Sequence, residues 1–204
     1  MPNPTTVIFD IGGVLVDWDP RFLYEKLMPP GAALDAFLAE VVTADWHFQH
    51  DAGRPFAETS AELIARFPHH AELIAAWGPR FNESNRGLVP GMDTLVAELD
   101  QGGVPLFAIT NFSGEFFPGF RAKYPALFDR FRSILVSGDE KLVKPDLAIY
   151  RLALERFGVA AATAVFVDDR ADNVAGAEAA GMTGIVFTDA AALRSSLRGL
   201  GLPV

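Results

Sequence analysis

The sequence contains no cysteine, which excludes a disulfide framework, a thiolate zinc site and a cysteine nucleophile, and suits a reducing compartment. Basic residues are in short supply: 17 Lys and Arg stand against 26 Asp and Glu, for a formal net charge of −9. Scattered cations of that number do not make the clustered basic surface on which nucleic-acid binding runs. Nor does any apolar run approach the roughly 20 residues that a membrane-spanning helix needs. The N-terminal stretch Met1-Pro2-Asn3-Pro4 has no basic flank and leads into no long apolar segment, so no secretory signal and a cytoplasmic location are expected. Repeats and low-complexity tracts are missing too.

Half of the 204 residues are hydrophobic and 21% are charged. That composition excludes intrinsic disorder and allows one core, or one core with an inserted module. Five short apolar runs without alternation predict strands buried on both faces of a parallel sheet: Thr5 to Phe9, Val104 to Thr110, Ser133 to Val136, Ala164 to Val167 and Thr183 to Phe187. Helical spacing lies between the later runs, with stops at Gly158 and Gly181. Strand and helix in alternation predict a Rossmann-like, doubly wound α/β fold. More than 90 residues separate the first two runs, where one crossover helix would need a dozen or so. Residues 18–88 carry helix patterns (Leu34, Phe37, Leu38; Leu63, Ile64, Phe67; Leu73, Ile74, Trp77) and no good strand. The domain expectation is therefore a core of residues 1–17 and 89–204 with a small helical insert of 18–88, hinged near Gly12, Gly13 and Pro20 and near Gly87, Pro90 and Gly91. A last short helix is expected in the Ala- and Leu-rich C-terminus.

In such a sheet, ligands bind beyond the carboxyl ends of the strands, at the switch in strand order. The polar residues there are Asp10, then Thr110 and Asn111, then Lys144 before Pro145, then Asp168 and Asp169. One Asp after a strand is commonly a turn residue, but four strand ends in agreement point to chemistry. Converging carboxylates need a cation between them, and oxygen-only ligands select a hard ion such as Mg²⁺. Lys144 adds positive charge for an anionic substrate, and Asp10 is suited to nucleophilic attack through its carboxylate.

These residues resemble the haloacid dehalogenase-like hydrolases. Phe9-Asp10-Ile11-Gly12-Gly13-Val14-Leu15-Val16-Asp17 is similar to the family's first motif, Ile109-Thr110-Asn111 to its second, Lys144-Pro145-Asp146 to its third, and Val167-Asp168-Asp169-Arg170-Ala171-Asp172-Asn173 to its fourth. The resemblance implies that Asp10 is nucleophile and Mg²⁺ ligand, with Gly12 a ligand through its backbone carbonyl and Gly13 beside it at the phosphate. It makes Thr110 and Asn111 phosphate binders, Lys144 the charge neutraliser, and Asp169 a metal ligand with Asp168 as ligand or through water. Asp172 is read either as part of this site or as a cap on the following helix. The helical insert corresponds to the family's C1 cap, a lid over the substrate.

One departure matters. Phosphatases of this family usually carry a second Asp two residues after the nucleophile, as general acid, and here that residue is Gly12. The leaving group must then depart easily, as from a sugar-1-phosphate, or another residue must supply the proton. In the combination of an Asp-x-Gly first motif, a small helical cap and the paired carboxylates of Asp168 and Asp169, the chain resembles bacterial glucose-1-phosphate phosphatases and, more distantly, the N-terminal domain of epoxide hydrolases. The expected activity is an Mg²⁺-dependent phosphatase on a small phosphorylated metabolite, from a monomer or homodimer. The alternatives are a 2-haloacid dehalogenase, which would not be expected to keep the Asp168–Asp169 pair, and a binding protein with a vestigial site. In the insert, Trp46-His47-Phe48-Gln49-His50-Asp51-Ala52-Gly53-Arg54 is the densest polar and aromatic cluster. It is either a substrate-selecting loop, with Trp46 stacked on a sugar, His47, His50 or Arg54 on its hydroxyls and His50 as a proton donor, or packing, with Trp46 and Phe48 in the core and the histidines solvated. Phe112 is a candidate for the rim of the site, while Asp17 and Asp19 read as hinge caps.

Overall fold

The computed structural model describes residues 3–204; Met1 and Pro2, part of the N-terminal stretch read above, lie outside it. The apolar runs become β1 (Thr6–Phe9), β4 (Leu106–Thr110), β5 (Ser133–Val136), β6 (Ala164–Asp168) and β7 (Thr183–Val186), all parallel, in the order β5-β4-β1-β6-β7. The side-chain period of two sends Val7, Phe9, Ala108, Val165 and Val167 to one face and Ile8, Phe107, Ile109 and Phe166 to the other. Helices Met92–Gln101 and Ala190–Gly199 cover the first face, and Leu147–Phe157 and Ala171–Ala179 the second. This double cover is why the runs lack polar alternation. Asp146 caps Leu147–Phe157 by accepting from the Ala148 N–H at 3.0 Å, and Gly158 ends it in a left-handed conformation. The C-terminal helix forms as expected, capped by Asp189.

β1 lies between β4 and β6, so the strand order reverses there and leaves a crevice at the carboxyl ends of β1 and β6. Between β1 and β4 the chain leaves the sheet through β2 (Val16–Trp18) and returns through β3 (Asn85–Leu88), paired antiparallel with Val16 opposite Leu88 and Asp17 opposite Gly87. This corrects the expectation of no strand in residues 18–88. Asn85-Arg86-Gly87-Leu88 has weak strand propensity, and its pairing is set by a partner about seventy positions away in the sequence. Five helices stand on this ribbon: α1 (Arg21–Tyr24), α2 (Ala32–Glu40), α3 (Ala44–Asp51), α4 (Phe56–Arg66) and α5 (Ala71–Arg80). They close around Tyr24, Phe37, Trp46, Leu63, Ile74 and Trp77, all buried, with Tyr24 and Trp77 stacked at 5.9 Å. Among the described residues, no helix is long and apolar enough to cross a membrane.

Candidate active site

Asp10 follows β1, and its N–H donates to the Val167 carbonyl at 2.8 Å, which fixes its backbone against β6. The chain then turns tightly through Gly13, at φ +74°. A Cβ there would meet an Asp169 carboxylate oxygen at 2.6 Å, so glycine is needed both for the backbone and for the approach of Asp169. At Gly12, by contrast, a Cβ would meet nothing within 4 Å among the described residues.

Lys144 is fully buried, and its Nζ donates to Asp10 Oδ1 at 2.8 Å and to Asp168 Oδ2 at 2.6 Å. Burying a lysine between two carboxylates is tolerable because each charge meets its opposite. Asp168 is fully enclosed and its oxygens take further bonds from the Arg170 N–H at 2.9 Å and from Asn173 Nδ2 at 3.0 and 3.1 Å. Asn111 supplies a second brace: its amide oxygen accepts from the Lys144 N–H at 2.8 Å and its Nδ2 donates to the Lys144 carbonyl at 3.0 Å. The Asn111 side chain, expected on phosphate, is therefore committed to the Lys144 backbone.

Asp10, Asp168 and Asp169 each bring a carboxylate oxygen within 4.8 Å of the others. Such an oxygen set fits a hard divalent cation. Asp168 is saturated by its partners, whereas Asp169 is exposed, so Asp10 and Asp169 offer the open oxygens. Burial pushes the Asp10 carboxyl up to about 6 against the lowering pull of Lys144, with the Asp168 charge adding to the rise. Burial also pushes Asp51, on the same cavity, up to about 7, helped by the Asp10 charge.

A cavity of about 930 Å³ opens above these residues, with Asp10, Gly12, Gly13, Asn111, Lys144 and Asp169 on its floor. The insert contributes Trp18, Val42, His47, Phe48, Trp77 and Phe81 to its walls, and the core adds Phe112, Phe116 and Phe120. Phe112 thus borders the site as expected. Other expected residues do not. Thr110 is buried at the end of β4 and is absent from the cavity wall, which Asn111, Phe112 and Ser113 form instead. Trp46 is 4% exposed, its indole N–H donates to the Thr59 carbonyl at 3.3 Å, and its ring packs on His50 at 4.7 Å. It is core of the insert, not a stacking face. Arg54 turns away to pair with Glu62 at 2.7 Å. Asp172 pairs with Arg170 at 2.6 Å and accepts from the Asn173 N–H, in the first turn of its helix and off the cavity wall. Asp19 accepts from the Arg21 N–H and starts α1, as a hinge cap should, while Asp17 lies exposed on β2.

His50 reaches the cavity, but its Nε2 is 2.7 Å from Thr59 Oγ1, and burial followed by the Arg54 charge lowers its pKa to about 4. Burial, and then His50, lowers His47 to about 3, and its ring nitrogens make no close hydrogen bond among the described residues. Both rings are neutral at pH 7, which removes His50 as the proton donor envisaged from the sequence. The sequence reading gave no role to Asn173, quoted only at the end of the fourth motif, and passed over Ser137. The strand-end rule applied to β5 would have found Ser137, because it is the first residue beyond that strand.

A family model for haloacid dehalogenase-like hydrolases matches residues 4–181. The chain belongs to that family. It is 31% identical over 196 residues to a sesquiterpene phosphatase, astK, of Aspergillus oryzae, covering 95% of this chain and 94% of that one. It is 28% identical over 201 residues to a phosphoglycolate phosphatase of Yersinia pestis, covering 89% and 80% of the two chains. Among solved structures, the wild-type HAD family enzyme bt-2542 of Bacteroides thetaiotaomicron, in complex with magnesium and inorganic phosphate, superposes with a TM-score of 0.70 at 17% identity, over 92% of this chain and 96% of that one. An L-2-haloacid dehalogenase of Xanthobacter autotrophicus gives 0.63 at 18% identity, over 98% and 84%. At such identities the likeness is one of fold.

Proposed function

We propose that the protein is an Mg²⁺-dependent phosphomonoesterase that works through an aspartyl phosphate on Asp10, with the helical insert as its substrate-selecting cap. The observation that carries this reading is the floor of the cavity. Lys144 donates to Oδ1 of Asp10, and Asp10 and Asp169 each bring a carboxylate oxygen into the cluster that a cation would bridge. A bound Mg²⁺ would offset the negative charge of the phosphoryl group. Gly12 and Ser113 also line the cavity, and their main-chain N–H groups can hold phosphoryl oxygens, those of Gly13 and Phe112 being given to the Val16 carbonyl and to Ser137 Oγ. Asp10 attacks phosphorus and the ester oxygen leaves; water then attacks the acyl phosphate, releasing inorganic phosphate and restoring the carboxylate. The carboxylates of Asp168 and Asp169 make the same floor a poor site for the carboxylate of a 2-haloacid.

The walls favour an apolar organic group over the sugar expected from the sequence. Trp46 is withdrawn into the insert core, and the walls present Trp18, Val42, Phe48, Trp77, Phe81 and Phe116. The sesquiterpene phosphatase relative supports the same substrate class. The test is a panel of primary alkyl and prenyl phosphates of increasing length, with glucose 1-phosphate, assayed in Mg²⁺ and in EDTA. At about 0.8 kcal/mol per buried methylene, kcat/KM should rise about fourfold per carbon until the cavity is full. Activity should vanish in EDTA and in Asp10→Asn. Turnover by Asp10→Asn, or halide release from 2-haloacids in EDTA, would refute the mechanism, and a flat length series or a preference for the sugar ester would refute the substrate class.

A further inference from the structure

An alkyl phosphate needs a proton on its departing oxygen, and the family's usual carrier is replaced here by Gly12. The polar side chains on the cavity wall are largely committed elsewhere. Lys144 is held between two carboxylates, Asn111 braces its backbone, and Asn173 donates to Asp168. His50 faces Thr59, Arg170 pairs with Asp172, and Asp19 starts α1. Asp169 belongs to the converging carboxylates, which do not include Asp51.

Asp51 is the last residue of α3 and lies on the cavity wall together with Asp10, Gly12 and Lys144. Its carboxyl takes no part in the ion pairs that fix Lys144. Its main chain is fastened to the core at the level of the site. Ser137 Oγ donates to the Asp51 carbonyl at 2.6 Å and accepts from the Phe112 N–H at 2.9 Å. Two glycines let the backbones touch beside it. A Cβ on Gly53 would fall 2.7 Å from the Gly138 carbonyl oxygen, and one on Gly138 would fall 2.6 Å from the Gly114 nitrogen and 3.2 Å from the His50 carbonyl oxygen. The insert therefore presents Asp51 on the wall of the cavity that holds the nucleophile, with its main chain seated on the core.

We propose that Asp51, supplied by the insert, is the general acid and base that replaces the carboxyl missing at residue 12; this rests on the phosphatase reading above. In the first step Asp10 forms a bond to phosphorus, the ester P–O bond breaks, and the Asp51 proton passes to the leaving oxygen to give the alcohol. In the second, the Asp51 carboxylate takes a proton from water as the water oxygen attacks phosphorus. The P–O bond to Asp10 breaks, phosphate leaves, and both carboxyls return to their starting states. Burial and the Asp10 charge favour the protonated Asp51 that the first step needs.

The experiment compares wild type and Asp51→Asn, in Mg²⁺, on p-nitrophenyl phosphate and on alkyl phosphates. A positioned acid is worth about 10²–10⁴-fold, so alkyl phosphate turnover should fall by that factor. A p-nitrophenolate ion leaves unaided, so its first-turnover release should fall less than about tenfold and appear as a burst, because the dephosphorylation step has lost its base. Adding Gly12→Asp to Asp51→Asn, where a Cβ has free space, should recover alkyl phosphate turnover at least about tenfold. Asp51→Ala gives the same readout if the Asn variant does not fold. Equal losses of first-turnover release on both leaving groups, or a loss on alkyl phosphates below about tenfold, overturn the role of Asp51 and leave the phosphatase reading standing. A wild type that hydrolyses neither ester overturns both.

Discussion

Lys144→Met removes the charge from the centre of the site while keeping a side chain of similar length, and its cost follows from the surroundings of Lys144. Nζ lies 2.8 and 2.6 Å from two carboxylates, in side chains that are 0% exposed for Lys144 and Asp168 and 11% for Asp10. Removing one member of a buried ion pair costs about 3–5 kcal/mol, because the charge left behind loses its partner without regaining water. Asp168 keeps its bonds from Asn173 and the Arg170 N–H, and Asp10 keeps some contact with solvent, so the lower end, about 3 kcal/mol, is expected. For a chain of this size that corresponds to a melting temperature lower by about 6–12 °C. The pH dependence is the sharper signature. Without the lysine, Asp10, whose carboxyl burial already raises, loses the charge that pulled it down, so the folded state holds more protons at this group and its penalty fades as pH falls toward the unfolded value. Melts followed by circular dichroism in EDTA should show the deficit at pH 7 shrinking by pH 5. Mg²⁺, which replaces the lost positive charge, should raise the variant's melting temperature more than the wild type's. A deficit under about 1 kcal/mol at pH 7, or one that does not shrink in acid, would refute the account of Lys144 as the counter-charge of Asp10 and Asp168.

Gly13→Ala should be destabilised by about 1–2 kcal/mol for an L-residue at φ +74°, and it should also displace Asp169, so the Mg²⁺ concentration for half-maximal activity should rise at least tenfold; an unchanged metal requirement would count against Asp169 as a ligand. His47 stays neutral in the fold down to about pH 3, whereas an unfolded histidine takes up its proton near pH 6.5, so its contribution is full above that value and is lost as pH falls below it. Relative to wild type, His47→Leu should therefore gain about 2 kcal/mol between pH 6.5 and 5 in denaturant titrations, and parallel pH profiles for the two proteins would show that His47 protonates freely.

The sheet was legible because burial on both faces leaves continuous apolar runs, such as Val7-Ile8-Phe9 and Val165-Phe166-Val167, and because the glycines at 158 and 181 close helices in the way their chemistry requires. The floor of the site was legible for a related reason: polar residues that end buried parallel strands have few places to go except the common crevice. What could not be read were relations between distant segments. Asn111 faces the Lys144 backbone instead of the substrate, Trp46 looks inward instead of outward, and Asp51 meets the cavity because Ser137 and two glycines seat α3 on the core. Nothing in Asn85-Arg86-Gly87-Leu88 announces a strand, because its partner makes it one.

The β2–β3 ribbon has a consequence for how this architecture can diversify. Residues 19–84 leave and re-enter the core side by side, across paired strands, so the sheet is indifferent to how long the excursion is. Doubling a loop whose ends are already together adds only about 0.6 kcal/mol of closure entropy. The helices that shape the cavity walls can thus be lengthened, repacked or exchanged as one piece, while the floor of carboxylates and lysine that the core supplies is left unchanged. If Asp51 is the proton carrier, such an exchange would swap part of the chemistry along with the substrate preference, and a grafted insert would have to bring its own acid.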